Sequence, residues 1–331
     1  MKKLISIILA VILSASALLM LGSCGDSSDG KNDTDGKLKI GIIQYMSHPS
    51  LDNCYNGVIA ALEESGIEYE ADRQTGSANS ADSDCTNFAK NMVASDYDMI
   101  IAIATPAAKA AYTATADTDI PVIFCAVSDP VAAGLVESNE NPGDLCTGTS
   151  DVLDLDAQVD LIEAMQPDVK KIGILYTSSE DNSVSNLAVF KEVCAEREIE
   201  VVAKAVQNSA DIPAAAEDLA SGVDCINNFT DNNVVNSLSV VLSAAENYGI
   251  PVYGSEEEQV KNGCLASVSI DYVALGKVTG EMAADVLGGA DASKMPVRTI
   301  SDATPIVNTA VLEALGMTLP EALANAAVIG E

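Results

Sequence analysis

The sequence predicts an α/β protein of two similar, Rossmann-like lobes, each a parallel sheet with helices on both faces. The first observation is an internal near-repeat: residues 39–42 (KIGI) recur as residues 171–174, and residues 120–122 (IPV) recur as residues 250–252. The second is that apolar runs of strand length alternate with segments of helical periodicity. A repeated design of this kind indicates two lobes with a cleft between them, and a cleft is where a small ligand binds.

Strands and helices alternate along the chain in both halves. In the first half, the pattern predicts strands at 38–44, 67–71, 99–104 and 121–127, and helices from Ser50 to Gly66, over 83–94 and from Pro106. In the second half, it predicts helices at 155–165, 185–197, 213–220, 233–248 and 274–287, and strands at 171–176, 200–205, 224–229, 251–253 and 265–270. Strands that are apolar throughout and separated by helices are typical of a parallel sheet covered on both faces.

The N-terminal residues have the organisation of an export signal followed by a tether. Lys2 and Lys3 precede an apolar run over residues 4–20, and small residues come directly before Cys24. This pattern predicts a cleaved secretory signal over residues 1–23 rather than a transmembrane or core helix. Residues 21–24 (LGSC) resemble a bacterial lipobox, which implies that Cys24 becomes the lipid-modified first residue of the mature chain. Residues 24–37 are rich in Gly, Ser, Asn and Asp and predict a flexible tether.

The charge balance excludes several classes of partner. The chain has 17 Lys and Arg against 49 Asp and Glu, a formal net charge of −32. A surface of this kind repels nucleic acid and anionic lipid, so we expect no nucleic acid partner and no membrane contact beyond the lipid anchor. The length that remains after the tether fits two lobes of ordinary size.

Cysteine and histidine usage argues against a metal site and against catalysis. Seven cysteines follow Cys24 without a CxxC pair, so we expect buried free thiols, with one disulfide as the alternative, and no zinc site. One histidine cannot build a His-rich metal site, and neither a glycine-rich phosphate loop nor a Gly-x-Ser-x-Gly elbow is present. A carboxylate pair such as Asp129 with Glu180 would suit a glycosidase, but there is no tryptophan for sugar stacking. We therefore expect a protein that is not an enzyme and that needs neither metal nor cofactor.

Polar loops follow the ends of the predicted strands. In the first half they are residues 44–52, 104–108, 126–136, 141–143 and 145–151, and in the second half residues 176–183, 230–235 and 271–272. Ligands of doubly wound sheets bind beyond the carboxyl ends of the strands, so these loops are expected to converge on one site.

These loops, taken in order, resemble the tryptophan and aromatic amino acid branch of the substrate-binding proteins of ABC transporters, which have the type I periplasmic-binding fold. The resemblance covers nearly the whole mature chain. It implies an extracytoplasmic, lipid-anchored, monomeric receptor that closes two lobes on a small molecule and delivers it to an ABC permease in the membrane. It also implies an aromatic amino acid as ligand: tryptophan, tyrosine or phenylalanine. A binding protein for a sugar or nucleoside, or a sensor lipoprotein, is the alternative.

The resemblance also implies a set of ligand-binding residues on both sides of the cleft. From the first lobe these are Tyr45, His48, Thr105, Ser128 and Asp129, and from the second lobe Ser179, Glu180, Asn182, Asp231, Asn232 and Asp271. Ser128 stands where the family often has Thr, which keeps the hydroxyl, whereas Thr177 stands where Asn is common.

The chemistry of an amino acid ligand agrees with these residue types. Its carboxylate needs donors, which the helix start after Thr105 supplies through backbone N–H groups. Its aromatic ring needs an apolar slot, for which Tyr45, Met46 and Leu51 are available. Its ammonium needs an acid, and the acidic residues that follow strand ends are Asp129, Glu180, Asp231 and Asp271.

Each residue also has a purely structural interpretation. The His48-Pro49 and Asp129-Pro130 steps occur in ordinary turns, and Tyr45 could face the core. Residues 178–180 and 231–232 could instead cap helices. The convergence of the loops on one edge of two sheets favours the ligand-binding interpretation over any of these taken singly.

The lobes are expected to exchange segments across a hinge of three strands. The predicted crossings lie at residues 148–151, 271–273 and 297–302. Residues 38–149 and 273–298 then form the N-lobe, and residues 150–272 and 299–331 form the C-lobe. Small backbone changes at such crossings allow the lobes to close on a ligand.

Overall fold

The structure is a computed structural model that describes residues 37–300 and 303–330. The predicted signal peptide, Cys24 and the tether up to residue 36 lie outside the described residues. Within the described part of the chain, none of the helices combines the length and the apolar character needed to cross a bilayer.

A sheet of six strands forms the first lobe. Its strands are β1 (Leu38–Gln44), β2 (Tyr69–Thr75), β3 (Met99–Ile103), β4 (Val122–Cys125), β5 (Cys146–Ser150) and β11 (Arg298–Thr299). Their order across the sheet is β11-β5-β4-β3-β1-β2, and the paired strands are parallel. The helices of this lobe are α1 (Pro49–Ser65), α2 (Ala81–Ala94), α3 (Thr105–Thr115) and α10 (Tyr272–Leu287).

The second lobe contains two smaller sheets. The first has β6 (Lys171–Thr177), β7 (Glu200–Val206), β8 (Cys225–Asn227) and β9 (Val252–Tyr253), in the order β7-β6-β8-β9. The second has β10 (Ala266–Ser269), β12 (Thr304–Asn308) and β13 (Ala327–Ile329), in the order β10-β12-β13. The helices are α4 (Leu155–Met165), α5 (Asp181–Glu196), α6 (Ile212–Ala220), α7 (Asn232–Asn236), α8 (Leu238–Tyr248), α9 (Glu257–Lys261) and α11 (Thr309–Ala314).

The internal near-repeat of the sequence corresponds to a repeated strand arrangement. The order β2-β1-β3-β4 in the first lobe matches β7-β6-β8-β9 in the second. The side chain of Asp98 accepts the backbone N–H of Lys39 at 2.8 Å, and Asp224 accepts that of Lys171 at 2.7 Å. An aspartate at the equivalent position therefore joins the first and third strands in each lobe. The predicted α/β fold of two similar lobes is confirmed.

Most of the predicted elements are present, and the differences have physical causes. The second strand is predicted at residues 67–71 but is observed as β2, Tyr69–Thr75. This strand lies at the edge of the sheet and carries polar residues, so its bounds are set by its pairing with β1 and not by an apolar run. The helix predicted over 233–248 is divided at Ser237, whose φ of −109° and ψ of 18° lie outside the helical range.

Close packing of α1 against α10 ties the C-terminal part of the chain to the first lobe. A Cβ atom on Gly276 would lie 2.1 Å from the backbone oxygen of Cys54, and one on Gly57 would lie 2.1 Å from the backbone oxygen of Val273. Only glycine permits backbones to approach this closely. The helix following β10 is therefore a component of the first lobe, although β10 itself belongs to the second.

The chain passes between the two lobes three times. The passages are residues 151–154 between β5 and α4, residues 270–271 between β10 and α10, and residues 300–303 between β11 and β12. Residues 301 and 302, part of the third predicted crossing, lie outside the described residues.

The cysteines pack as small apolar residues. Cys54, Cys85, Cys125, Cys146, Cys194, Cys225 and Cys264 are all buried with free thiols. Burial raises the pKa of the Cys85 and Cys194 thiols to about 12, which keeps these side chains neutral.

Candidate functional site

A cavity between the two lobes lies at the carboxyl ends of the strands. The space among its lining atoms, counted together with the solvent open at its mouth, is about 350 Å³. It is lined by His48, Ser50, Leu51, Ala104, Thr105, Ala126, Ser128, Asp151, Asn182, Thr230, Asn232, Val235, Glu256, Gln259 and Tyr272. The first lobe contributes loops after β1, β3, β4 and β5, and the second contributes loops after β6, β8 and β9, as expected for doubly wound sheets.

Helix starts and unusual backbone conformations surround the cavity. The long helices α1 and α3 begin at Pro49 and Thr105, beside the lining residues. Ala104, directly before α3, has φ of 82°, and Ala126, directly after β4, has φ of 57°. An alanine with positive φ is strained, and such strain is concentrated at ligand sites. The sequence gives no signal for either conformation.

Two buried carboxyl groups line the cavity. Asp151 accepts hydrogen bonds from Ser128 Oγ at 3.0 Å and from the Tyr272 hydroxyl at 2.7 Å. Burial raises the pKa of Asp151 above its ordinary value. Glu256 accepts the backbone N–H groups of residues 258 and 259 at 2.7 and 2.8 Å, and burial raises its pKa to about 7. The described lining contains no Lys or Arg, so a cationic group of a ligand would supply the missing counter-charge.

Several other polar atoms of the lining have no hydrogen-bond partner in the described part of the chain. They are His48 Nδ1, Ser50 Oγ, Thr105 Oγ1, Asn182 Oδ1, Thr230 Oγ1 and Gln259 Oε1. Leaving a buried polar atom unsatisfied costs about 1–3 kcal/mol. A polar ligand would recover this cost, and so these six atoms point to the position of one.

The two amide side chains in this set present their oxygen atoms to the ligand space. Asn182 Nδ2 donates to the Thr230 carbonyl and to Glu180 Oε2, each at 3.3 Å. Gln259 Nε2 donates to the Phe229 carbonyl at 3.1 Å. Because each nitrogen already donates to the protein and each oxygen has no partner among the described residues, the oxygens are the atoms left to accept from a ligand. The cavity is therefore rich in acceptors and suits a group with several donors, such as an ammonium.

Two more buried carboxyl groups lie behind the lining. Glu180 accepts the backbone N–H of Asn232 at 3.1 Å and its side-chain Nδ2 at 2.7 Å. Desolvation and the neighbouring Asp231 raise the pKa of Glu180 to about 8. Asp231 accepts the backbone N–H of Thr177 at 2.6 Å and caps α7 through that of Val234 at 3.1 Å. Both residues position the lining and do not themselves line the cavity.

The structure brings together some of the predicted site residues. His48, Thr105, Ser128, Asn182 and Asn232 line the cavity, and their contact with a ligand stays a prediction. Tyr45 does not line it: its side chain is 4% exposed in the core of the first lobe, and its hydroxyl donates to Asp82 at 3.0 Å. The structural interpretation, in which this tyrosine faces the core, describes its position.

Three further predicted residues lie away from the cavity. Asp271 is exposed and caps α10, accepting the backbone N–H of Val273 at 2.8 Å. Ser179 is exposed on a separate surface cleft that also contains Asp181. Asp129 accepts Ser185 Oγ at 2.6 Å across the lobes. Their strand-end positions are as predicted, but local capping and inter-lobe contacts direct these side chains elsewhere.

Other lining residues are not among the site residues predicted from the sequence. Asp151 and Tyr272 fall inside the polar segments that the sequence singles out, at residues 145–151 and 271–272, yet neither is selected there. Glu256 follows the short strand β9, whose loop is not among the polar segments that the sequence singles out. Applying the strand-end rule to residues 254–256 would have found it.

Contacts between the lobes surround the cavity. His48 Nε2 lies 3.3 Å from Asn232 Oδ1, and Asn53 Nδ2 lies 3.3 Å from Glu258 Oε1. Lys109 forms an ion pair with Asp181. These contacts hold the lobes together around the lining residues.

Comparisons with known proteins agree with this geometry. The profile of a family described as "ABC transporter substrate binding protein" matches residues 39–329. A "Tyrosine-binding protein" of Clostridioides difficile is 38% identical over 323 residues, which cover 96% of this chain and 93% of that protein. A domain from Streptococcus pneumoniae in complex with L-Trp has a TM-score of 0.84 and 36% identity, covering 88% of this chain and all of that one.

A further comparison concerns the arrangement of the lobes. The ligand-free, open structure of a substrate-binding protein with adhesive properties from Clostridium difficile is 38% identical, covering 88% of this chain and 99% of that one. Its TM-score is 0.67, below the 0.84 of the L-Trp complex despite similar identity and coverage. The lobes of this chain are therefore arranged more as in the ligand-bound structure than as in the open one.

Proposed function

Because this chain belongs to the family of ABC transporter substrate-binding proteins, we propose that it is the extracytoplasmic receptor of an importer for an aromatic amino acid. The proposed ligands are tryptophan, tyrosine and phenylalanine. The family works as the ligand-binding component of a transporter and not as an enzyme. The ABC permease in the membrane is the partner to which the ligand would be delivered.

One observation carries the proposal for an amino acid. Asp151 and Glu256 are buried in a cavity whose described lining has no cationic side chain, beside the fixed acceptors of Asn182 and Gln259. An ammonium group has three donors and a positive charge, so it matches this lining. Sugars and nucleosides carry no such charge and would leave the two carboxyl groups uncompensated.

The groups for the remaining parts of the ligand lie in the same cavity. The hydroxyls of Thr105 and Thr230 are unpartnered within the described residues and can donate to a carboxylate, together with the N-terminal backbone of α3. Leu51, Val235 and Tyr272 offer apolar surface to a ring. The 38% identical tyrosine-binding protein and the 36% identical L-Trp complex support an aromatic ring.

Isothermal titration calorimetry of the purified chain tests this proposal. We expect binding of L-Tyr and L-Trp, and no binding of tyramine, which lacks the carboxylate, or of 3-(4-hydroxyphenyl)propionate, which lacks the ammonium. Tight binding of the propionate would contradict the role of the buried carboxyl groups. Binding confined to a sugar or nucleoside would keep the receptor and replace its ligand.

We also propose that the receptor is a monomer anchored through a lipid on Cys24, with residues 1–23 removed and residues 24–37 as the tether. Mass spectrometry of the chain from its native membrane would detect a diacylglyceryl group on Cys24. Cys24→Ala should release the protein from the membrane while leaving ligand affinity unchanged. Membrane attachment of that variant would contradict the anchor.

We propose that the two lobes move as two bodies about the three passages. The boundaries expected after residues 149, 272 and 298 are then replaced by the passages themselves, because Ser150 pairs with Thr299 in the first sheet and α10 begins at Tyr272. The contact of α1 with α10 supports the assignment of α10 to the first body. Ligand that touches both bodies favours the closed state. Small-angle scattering should show a smaller radius of gyration on addition of L-Tyr, and an unchanged radius would contradict closure.

A further inference from the structure

We propose that His48 selects ligands whose aromatic ring carries a hydrogen-bond donor, because its imidazole is held with Nδ1 as an unprotonated acceptor toward the ligand. This inference rests on the proposed function, and names the feature by which the site separates tyrosine and tryptophan from phenylalanine. It starts from a chain of contacts across the cleft from Glu180 through Asn232 to His48.

The first step is the orientation of the Asn232 amide. The backbone N–H of Asn232 donates to Glu180 Oε2 at 3.1 Å, and a backbone N–H can only donate. Asn182 Nδ2, which also donates to the Thr230 carbonyl, contacts the same Oε2 at 3.3 Å. Because Oε2 accepts from these two N–H groups, a proton on the carboxyl group of Glu180 belongs on Oε1. The Asn232 side chain reaches the same Oε2 at 2.7 Å, so it must present its Nδ2 there. Its Oδ1 consequently faces His48.

The second step is the tautomer of His48. Since Asn232 Oδ1 is an acceptor, the imidazole nitrogen 3.3 Å away, Nε2, must carry the hydrogen. Burial lowers the pKa of His48 to about 4, so the ring is neutral at pH 7 and has a single N–H. That leaves Nδ1 unprotonated, and Nδ1 has no partner within the described residues.

The third step is the ligand group that Nδ1 can accept. The ammonium of the ligand is matched by the carboxyl groups of Asp151 and Glu256, which are stronger partners than a neutral imidazole. The remaining donor of tyrosine is the phenol O–H, and that of tryptophan is the indole N–H, whereas phenylalanine has none. A site that leaves a buried acceptor unpaired disfavours the ligand lacking the donor.

The test uses the fact that His48 is the only histidine of the chain. Long-range proton–nitrogen NMR spectra of the full chain labelled with ¹⁵N-histidine report one imidazole. We expect a neutral ring protonated at Nε2 at pH 7 without ligand. Addition of L-Tyr or L-Trp should shift the Nδ1 signal upfield as that atom accepts a hydrogen bond, and L-Phe should not. A ring protonated at Nδ1, or an equal shift with L-Phe, would overturn the proposal.

Calorimetry on variants gives the second readout. We expect the unmodified chain to prefer L-Tyr over L-Phe by at least about tenfold, from one buried hydrogen bond. His48→Leu should reduce this preference below about threefold by weakening L-Tyr alone. Asn53→Ala is the matched control, because it removes another contact between the lobes without changing the cavity lining, and the preference should persist.

The outcomes separate the two proposals. If no aromatic amino acid binds, the proposed function fails and the role of His48 fails with it. If L-Tyr, L-Trp and L-Phe bind with equal affinity, the receptor function stands and the selection by His48 is overturned. A loss of affinity for all three ligands in His48→Leu would likewise overturn ring selection, since it would indicate a role in closure.

Discussion

At the scale of single residues, the cavity combines groups that are costly to bury with nothing in the described chain to neutralise them. Asp151 and Glu256 are 3% and 1% exposed. Burial away from water raises the pKa of each, and a cationic ligand group would offset the cost of ionising them. The affinity for the ligand and its pH dependence should therefore both depend on these two carboxyl groups.

Asp151→Asn should weaken L-Tyr binding by roughly thirtyfold or more, because a buried ammonium loses its charged partner at a cost of about 2–5 kcal/mol. Isothermal titration calorimetry measures the change. Asp271→Asn is the matched control: Asp271 is an exposed helix cap, and asparagine caps a helix as well as aspartate does. An equal loss in both variants would contradict the site described here.

Glu256 should make the ligand-free protein less stable as the pH rises. Its pKa is raised from 4.5 to about 7 in the folded state, so the folded chain binds its proton more tightly than the unfolded chain does. The resulting stabilisation is fully present below pH 4.5 and is lost as the pH rises through 7. Thermal melts of Glu256→Gln should show a shallower decline over this range, and an unchanged slope would contradict the assignment.

The same linkage predicts proton release on binding. An ammonium ligand favours the ionised form of Glu256, so L-Tyr affinity should increase from pH 5.5 to 7.5, by at most about tenfold per pH unit for one proton. Calorimetry in buffers of different ionisation enthalpy counts the protons. Affinity that falls with rising pH would contradict an ionised Glu256 as partner.

At the scale of secondary-structure elements, the contact between α1 and α10 determines how the chain is divided between the lobes. Both helices carry glycines at the contact, Gly57 on α1 and Gly276 and Gly280 on α10, and added Cβ atoms there would meet backbone oxygens at 2.1–2.6 Å. Because α1 begins at the cavity and α10 begins with Tyr272, this packing also fixes two lining segments relative to each other.

Gly276→Ala should therefore lower the free energy of unfolding by about 2 kcal/mol or more, since the backbone of Cys54 cannot yield. We expect a decrease in melting temperature of roughly 4–8 °C. Gly222→Ala is the control, because the nearest atom to its added Cβ is 4.0 Å away, and its effect should stay within about 0.5 kcal/mol. Equal melting temperatures for the two variants would contradict the close packing.

At the scale of the whole molecule, closure is supported by contacts remote from the ligand as well as by the ligand itself. The ion pair of Lys109 with Asp181 and the hydrogen bond of Ser185 with Asp129 both join the lobes outside the cavity. Such contacts favour the closed state before ligand is present and so raise the apparent affinity. Partly exposed pairs of this kind contribute only about 0–1 kcal/mol.

Lys109→Ala should accordingly weaken L-Tyr binding by about two- to fivefold, and less at high salt. Lys204→Ala is the control, since the ion pair of Lys204 with Asp218 joins two elements of the same lobe and has comparable exposure. Calorimetry on both variants measures the difference. An equal effect of the two substitutions would show that the Lys109 pair does not act through closure.

The sequence determined the architecture because its signals are local. Continuous apolar runs, helical periodicity and the repeated KIGI segments follow from backbone geometry and burial, and they predict two parallel sheets and the edge at which a ligand binds. The rule that ligands bind beyond strand ends singles out the loops that contain these residues. Within those loops, the resemblance to the family implies His48, Thr105, Ser128, Asn182 and Asn232, all of which line the cavity.

Only the tertiary structure decided which polar side chains face the ligand and which serve the protein. Tyr45, Asp129 and Asp271 also follow strand ends, yet a core position, an inter-lobe hydrogen bond and a helix cap engage them. The orientation of an amide or carboxyl group depends on partners far away in sequence, as Asn232 depends on Glu180. These pairings arise when the lobes fold and close, so local sequence patterns do not contain them.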